Sequence, residues 1–110
     1  MSIIHIVMFQ FGENATPKDI EEACQRMLAL KDECLHPVTQ KPYIQRISGG
    51  LDNSPEGKQG GITHAFVAEF SSAEDRDYYI KDDSTHKLFA QSLSGLVARA
   101  QVIDFTPGVF

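Results

Sequence analysis

Four histidines and an adjacent pair of tyrosines are the residues of this 110-residue chain best suited to moving protons. His5 lies in the opening apolar run IIHIVMFQF and His64 in a second such run, ITHAFVAEF. His86 follows Ser84-Thr85 in DYYIKDDSTHKLF, which also carries Tyr78 and Tyr79. An imidazole titrates near neutrality and can take a proton from carbon or from a phenol, while a tyrosine hydroxyl can hold the oxyanion that results. His36 precedes Pro37 at the expected end of a helix, where the helix dipole accounts for it. Asp75 with Asp77 and Asp82 with Asp83 read as solvated helix caps, because a cation site needs more oxygens at defined spacing. No GxSxG, HExxH or CxxC occurs, so no metal and no cofactor is expected. Cys24 and Cys34, ten residues apart in one expected helix, would stand about 15 Å apart and read as free thiols.

The elements that must position these residues follow from periodicity. Residues 3–11 are β-branched and aromatic, with Ile3, His5, Val7, Phe9 and Phe11 on one face of a strand and Ile4, Ile6 and Met8 on the other. Thr16-Pro17 opens a helix that His36-Pro37 ends, with Ile20, Cys24, Met27 and Leu30 along one stripe. A short strand from Tyr43 to Ile47 leads into SGGLDNSPEGKQGG, a polar glycine-rich hairpin connection without phosphate-loop spacing. Residues 62–70 form the next strand, with His64, Phe66, Ala68 and Phe70 on one face and Thr63, Ala65, Val67 and Glu69 on the other. A capping box, Ser71-Ser72-Ala73-Glu74, starts a helix to about Ile80, and Thr85 to Leu93 forms a short further helix. Residues 100–105 make the last strand, followed by an apolar tail, Val109-Phe110.

This order predicts an α+β domain over residues 1–110, a ferredoxin-like β-α-β-β-α-β unit with an antiparallel sheet and an appended helix. Both main helices cover one sheet face. The other, bearing Ile4, Ile6, Met8, Ala65 and Val67, is too apolar to stay wet, and a homodimer through that exposed face is expected. On the covered face His5 and His64 are expected to point toward Tyr78, Tyr79 and His86, with Phe66 and Phe89 beside them, in outline a small-molecule pocket.

Composition narrows the remaining classes. Ten Lys and Arg against fifteen Asp and Glu give a net charge of −5, which argues against nucleic acid as partner. No apolar run is long enough for a bilayer, and MSIIHIVMFQF has neither a basic leader nor a small-residue cleavage site. No membrane partner and a cytoplasmic location are therefore expected.

HIVMFQF, ITHAFVAEF, DYYIKDDSTHKLF and VIDFTPGVF together resemble the stress-responsive A/B barrel family, in particular its fungal single-domain members. The resemblance spans essentially the whole chain and implies a dimeric α/β barrel, two ferredoxin-like units paired face to face. It also implies an activity like that of the family's plant polyketide cyclase, olivetolic acid cyclase, an aldol ring closure without metal or cofactor. By position His86 then corresponds to the base and Tyr79 to the catalytic tyrosine, with Tyr78 the alternative, and His5 and His64 to the strand histidines. Asp83-Ser84 stands where that cyclase has the first His-Pro of its His-Pro-x-His motif, and the spacing from Tyr79 to His86 is one residue longer. The expected function is a cofactor-independent cyclase or lyase on a polyketide or phenolic ligand. The alternatives are a non-enzymatic stress-associated homodimer or hydrophobic-ligand binder, with the imidazoles hydrogen-bonded in a filled core, and a cofactor-free monooxygenase.

Overall fold

Helix caps and the two-residue alternation of the strands set the elements, and the computed structural model describes all of residues 1–110. In β1 (Ile3–Phe11) the alternation is direct: Ile3, His5, Val7 and Phe9 are buried, while Ile4, Ile6 and Met8 are half-buried. Helix α1 (Pro17–Glu33) begins with a reciprocal cap. The Thr16 hydroxyl accepts from the Asp19 N–H at 3.1 Å, and the Thr16 N–H donates to Asp19 Oδ2 at 3.2 Å. Its stripe of Ala23, Met27 and Leu30 is buried against the sheet. The helix stops at Glu33, earlier than His36-Pro37 suggests, because Cys34 adopts an extended conformation as the C-cap. Both cysteines are free.

The remaining elements are β2 (Ile44–Leu51), β3 (His64–Phe70), α2 (Ala73–Lys81), α3 (Ser84–Ser92) and β4 (Val97–Phe105). They form one antiparallel sheet in the order β2-β3-β1-β4, with the ferredoxin-like connectivity and one added helix. The capping of α2 sits one residue later than expected. The Ser72 hydroxyl accepts from the Asp75 N–H at 3.1 Å, while the Ser71 hydroxyl donates to the Asp75 carboxylate at 3.0 Å. No helix is long and apolar enough to cross a membrane.

Strand boundaries differ from expectation for identifiable reasons, and β3 starts at His64 rather than at residue 62 because Ile62 still closes a turn onto the Gln59 carbonyl. β4 starts at Val97, three residues early, because β1 continues pairing past an irregularity between Gln10 and Phe11. β2 runs on through Gly49, Gly50 and Leu51, where the glycines suggest a loop. Gly49 pairs with Phe66, whose ring lies across the Gly49 backbone; an added Cβ would meet that ring and approach the Ala65 carbonyl oxygen to 2.7 Å. Glycine is there to let a core aromatic lie flat on the strand.

The inner face of the sheet carries the core, in which Phe66, Phe70, Leu30, Cys34 and Tyr79 are the largest fully buried side chains. The outer face has no covering layer in the chain itself. Val67, Ile103 and Phe105 stand exposed there beside half-buried Ile4, Ile6 and Met8, paired across the strands in register.

The Gly49 contact generates a clean comparison. Gly49→Ala should destabilise the fold by about 1–3 kcal/mol through overpacking. Gly50→Ala, whose added methyl would meet nothing within 4 Å, should stay within about 0.5 kcal/mol of the parent. Urea midpoints of the two variants read the difference.

Candidate functional site

Beneath α3, the inner faces of β1 and β4 leave a cavity of about 570 Å³, so the space between sheet and helices is not a filled core. Its wall is mostly aliphatic and aromatic: Val7, Phe9, Met27, Phe89, Ala100 and Val102 among others, with no Lys, Arg, Asp or Glu. The polar side chains are His5, Tyr79, His86 and Ser94. Such a lining suits an uncharged apolar ligand gripped at one end.

His5 reaches the cavity because β1 alternates, and its partner comes from register: His5 lies opposite Asp104 of β4. Its ring is 4% exposed, and Nδ1 lies 2.6 Å from Asp104 Oδ1. A carboxylate can only accept, so Nδ1 carries the proton and donates it. The other oxygen, Asp104 Oδ2, accepts from Arg76 Nη1 at 2.9 Å, and Arg76 Nε donates to Asp77 at 2.8 Å. The carboxylate that orients His5 is therefore itself neutralised from α2.

His86 sits in the first turn of α3, and its Nδ1 lies 2.8 Å from the Tyr79 carbonyl oxygen. A carbonyl also only accepts, so Nδ1–H donates and Nε2 is the bare nitrogen. Neither His86 Nε2 nor His5 Nε2 is engaged by another protein group. The His86 ring stacks on Tyr79 with centroids 3.8 Å apart and planes 21° from parallel. Burial pushes the His86 pKa down, and nearby His5 adds to this. The Tyr79 carbonyl and the Asp83 carboxylate partly oppose it. At neutral pH the ring is thus a neutral base with its lone pair on Nε2.

Tyr79 is 1% exposed, and its hydroxyl, shut off from solvent, has no hydrogen-bond partner. Burial raises its pKa, with Cys34 and Asp83 pushing the same way, so the phenol remains protonated. An orphaned buried hydroxyl costs about 1–3 kcal/mol, a cost set against the packing of the Tyr79 ring on His5, Phe70 and His86.

Of the seven residues singled out in the sequence, the structure brings four to one cavity: His5, Tyr79, His86 and Phe89. The longer spacing to His86 leaves Tyr79 inward, and Tyr78 packs instead on Tyr43, with ring centroids 5.7 Å apart. Phe66 is buried in the core against Phe9 and does not line the cavity. His64 shares a sheet face with His5 but not a location. His5 lies opposite Ala68 and His64 opposite Phe9, which at ~3.4 Å per residue separates them by about 14 Å along the strands. His64 bonds Thr63 Oγ1 at 2.8 Å, packs edge-on to Phe11, and touches a separate open pocket of about 640 Å³ under residues 52–59. Burial lowers its pKa as well.

Asp104 and Arg76, which support the His5 ring from behind the cavity, are residues that the sequence alone does not single out. The signal available was an aspartate at an inward-alternating position of an apolar strand, AQVIDF, where a buried carboxylate needs a partner. Asp83 does cap α3, yet it is 3% exposed rather than solvated. No group of three or more His, Cys, Asp or Glu is arranged to hold a metal ion.

A search of curated proteins finds no match. Among solved structures, protein At3g17210 from Arabidopsis thaliana is 26% identical with a TM-score of 0.82, the match covering 98% of this chain and 97% of that one. The hydroxynitrile lyase of Passiflora edulis is 20% identical with a TM-score of 0.83, over 99% and 96%. A dimeric ferredoxin-like protein from Jannaschia sp. CCS1 is 19% identical with a TM-score of 0.76, over 96% and 99%. These likenesses agree with the fold described above. The sequence profile of the Stress responsive A/B Barrel Domain matches residues 3–107, and the chain belongs to that family.

Proposed function

We propose that this protein is an acid–base enzyme of the lyase or cyclase kind, acting on a small uncharged carbonyl or phenolic compound with His86 as base. The observation that carries this reading is the His86–Tyr79 pair in an apolar cavity. One imidazole has Nδ1 committed to a backbone carbonyl and Nε2 unpaired, and it stacks on a tyrosine whose buried hydroxyl has no partner. In the first step Nε2 takes a proton from a ligand C–H or O–H, and the electron pair left behind moves onto oxygen. Tyr79 orients the base by stacking on its ring, and His5, oriented by Asp104 with Nε2 bare, is the available partner for a ligand hydroxyl. An enolate formed this way can attack a second carbonyl of the same ligand, whose oxygen then takes the proton back. An alkoxide can instead expel a carbon fragment, which takes the proton as it leaves. His5, Tyr79, His86 and Phe89 are the residues assigned to the site. His64, Phe66 and Tyr78 have no part in it.

The exposed apolar outer face supports a homodimer, as does the dimeric state of the Jannaschia protein of the same fold. Free cysteines fit a cytoplasmic location.

Ligand titrations followed on the histidine rings by NMR test the reading, with benzaldehyde, its cyanohydrin and simple phenols as probes. His5 and His86 should shift together while His36 and His64 stay still; silence from His86 with every probe would sink the proposal. With a turned-over probe, His86→Ala should lose about 10²–10⁴ in kcat while remaining folded. Ligand shifts without any turnover would point to a binding protein instead, and oxygen uptake to an oxygenase. The wild-type kcat/KM should rise with pH through a midpoint below the ordinary histidine value of about 6.5.

Stability should carry the same titration. A histidine with a depressed native pKa binds its proton more readily in the unfolded chain, so stability is full above the unfolded pKa and falls as pH drops toward the native one. Urea midpoints should therefore decline between about pH 7 and pH 5, and His86→Gln should flatten that decline. Light scattering at micromolar concentration should give the mass of a dimer, and a monomer there would refute the outer-face interface.

A further inference from the structure

The cavity chemistry leaves one buried charge unused. Asp83 accepts at Oδ1 from the backbone N–H of Thr85 at 3.0 Å and of His86 at 3.2 Å, and at Oδ2 from the Tyr43 hydroxyl at 2.6 Å. The fully buried Cys34 thiol faces the same carboxylate, and its pKa is pushed up to about 12, by burial first and by Asp83 next. One side chain thus joins the end of α1, the residue preceding β2 and the first turn of α3.

Capping alone does not explain this arrangement. An exposed Ser, Thr, Asn or Asp caps a helix equally well, whereas burying a carboxylate costs free energy unless all its lone pairs are satisfied. Tyr43 contributes a bond that no cap needs. Its effect is to fix the height and rotation of the first turn of α3 against β2, and that turn carries His86.

We propose that Asp83 is a positioning residue for His86: anchored by Tyr43, its carboxylate holds the first turn of α3 so that the His86 ring stays stacked on Tyr79 with Nδ1 on the Tyr79 carbonyl. The catalytic meaning of this clamp rests on His86 being the base; the clamp itself does not.

The carboxylate also acts on His86 through space. His86 meets Tyr79 from α2 and His5, itself paired to Asp104, from β1. α1 brings Arg26 and Glu33 against the same helix, the Arg26 guanidinium 5.4 Å over the Phe89 ring. Among these, Asp83 is the carboxylate that favours the imidazolium, against burial and His5.

The test compares histidine-ring NMR of the ligand-free protein with that of Asp83→Asn, Asp83→Ala and Tyr43→Phe. Asn caps as well as Asp, so Asp83→Asn should keep the upfield ring shift that stacking on Tyr79 gives His86. Its His86 titration midpoint should nevertheless fall, because the carboxylate that favours the imidazolium is gone. Tyr43→Phe, which keeps the core volume, and Asp83→Ala should each move the His86 ring signals toward those of free histidine. An unchanged His86 ring shift in Tyr43→Phe overturns the clamp, and an unmoved midpoint in Asp83→Asn overturns the through-space effect of the carboxylate. Both of those variants preserve packing, so the clamp can be refuted whether or not Asp83→Ala folds. No ligand is present, so the result is independent of whether any probe binds or turns over.

Discussion

The register of β1 against its two neighbours is the constraint on which the site depends. Because side chains alternate strictly, a slip of one residue would turn His5 to the outer face and bring Ile4 and Ile6 inward. The observed register puts His5 opposite Ala68 on one side and Asp104 on the other. The small side leaves room for the ring, and the acidic side fixes its tautomer. Phe9 opposite Ala100 and Val7 opposite Val102 then open the floor of the cavity, because β4 supplies short side chains where β3 supplies Phe66 and His64. The cavity is asymmetric for that reason: β3 fills its half of the inner face, and β4 does not.

Two histidines in one apolar space pose an electrostatic difficulty, since protonating either raises the cost of protonating the other. The protein separates their circumstances. His5 rests on a carboxylate that Arg76 balances, while His86 rests on a neutral carbonyl. Similar rings thereby occupy different hydrogen-bonding environments. Every formal charge involved sits behind the cavity wall, on Asp104, Arg76 and Asp83, and the ligand-facing surface remains uncharged.

Much of this was legible in the residues. The β-branched runs, the Thr16-Pro17 cap and the strand alternation determine the ferredoxin-like order and place His5 correctly. What failed did so where pairing in three dimensions overrides local pattern. Gly49-Gly50 reads as loop because glycine is a poor strand former, but the ring of Phe66 on the adjoining strand requires glycine there. His64 follows the same alternation as His5, and alternation fixes a face without fixing a position along it; only the β1–β3 register separates the two rings. Asp83 reads as an ordinary solvated cap because nothing local shows that Tyr43 and Cys34, distant in sequence, close over it.

The departure at Asp83-Ser84 is likewise settled by tertiary contacts. A helix break with an extra residue would be expected to swing Tyr79 away from the strands, since each added residue rotates a helix by about 100°. The structure turns the chain sharply at the break itself. The N–H groups of Asp82 and Asp83 both bond the Tyr78 carbonyl at 2.9 Å, so α2 closes tightly and α3 starts afresh from its own cap. Separating the helices in this way uncouples the rotation of α2, which the packing of Tyr79 against Phe70 and His5 sets, from that of α3, which Asp83 sets. The stacked Tyr79–His86 pair is where two independently fixed helices meet, and neither helix inherits its phase from the other.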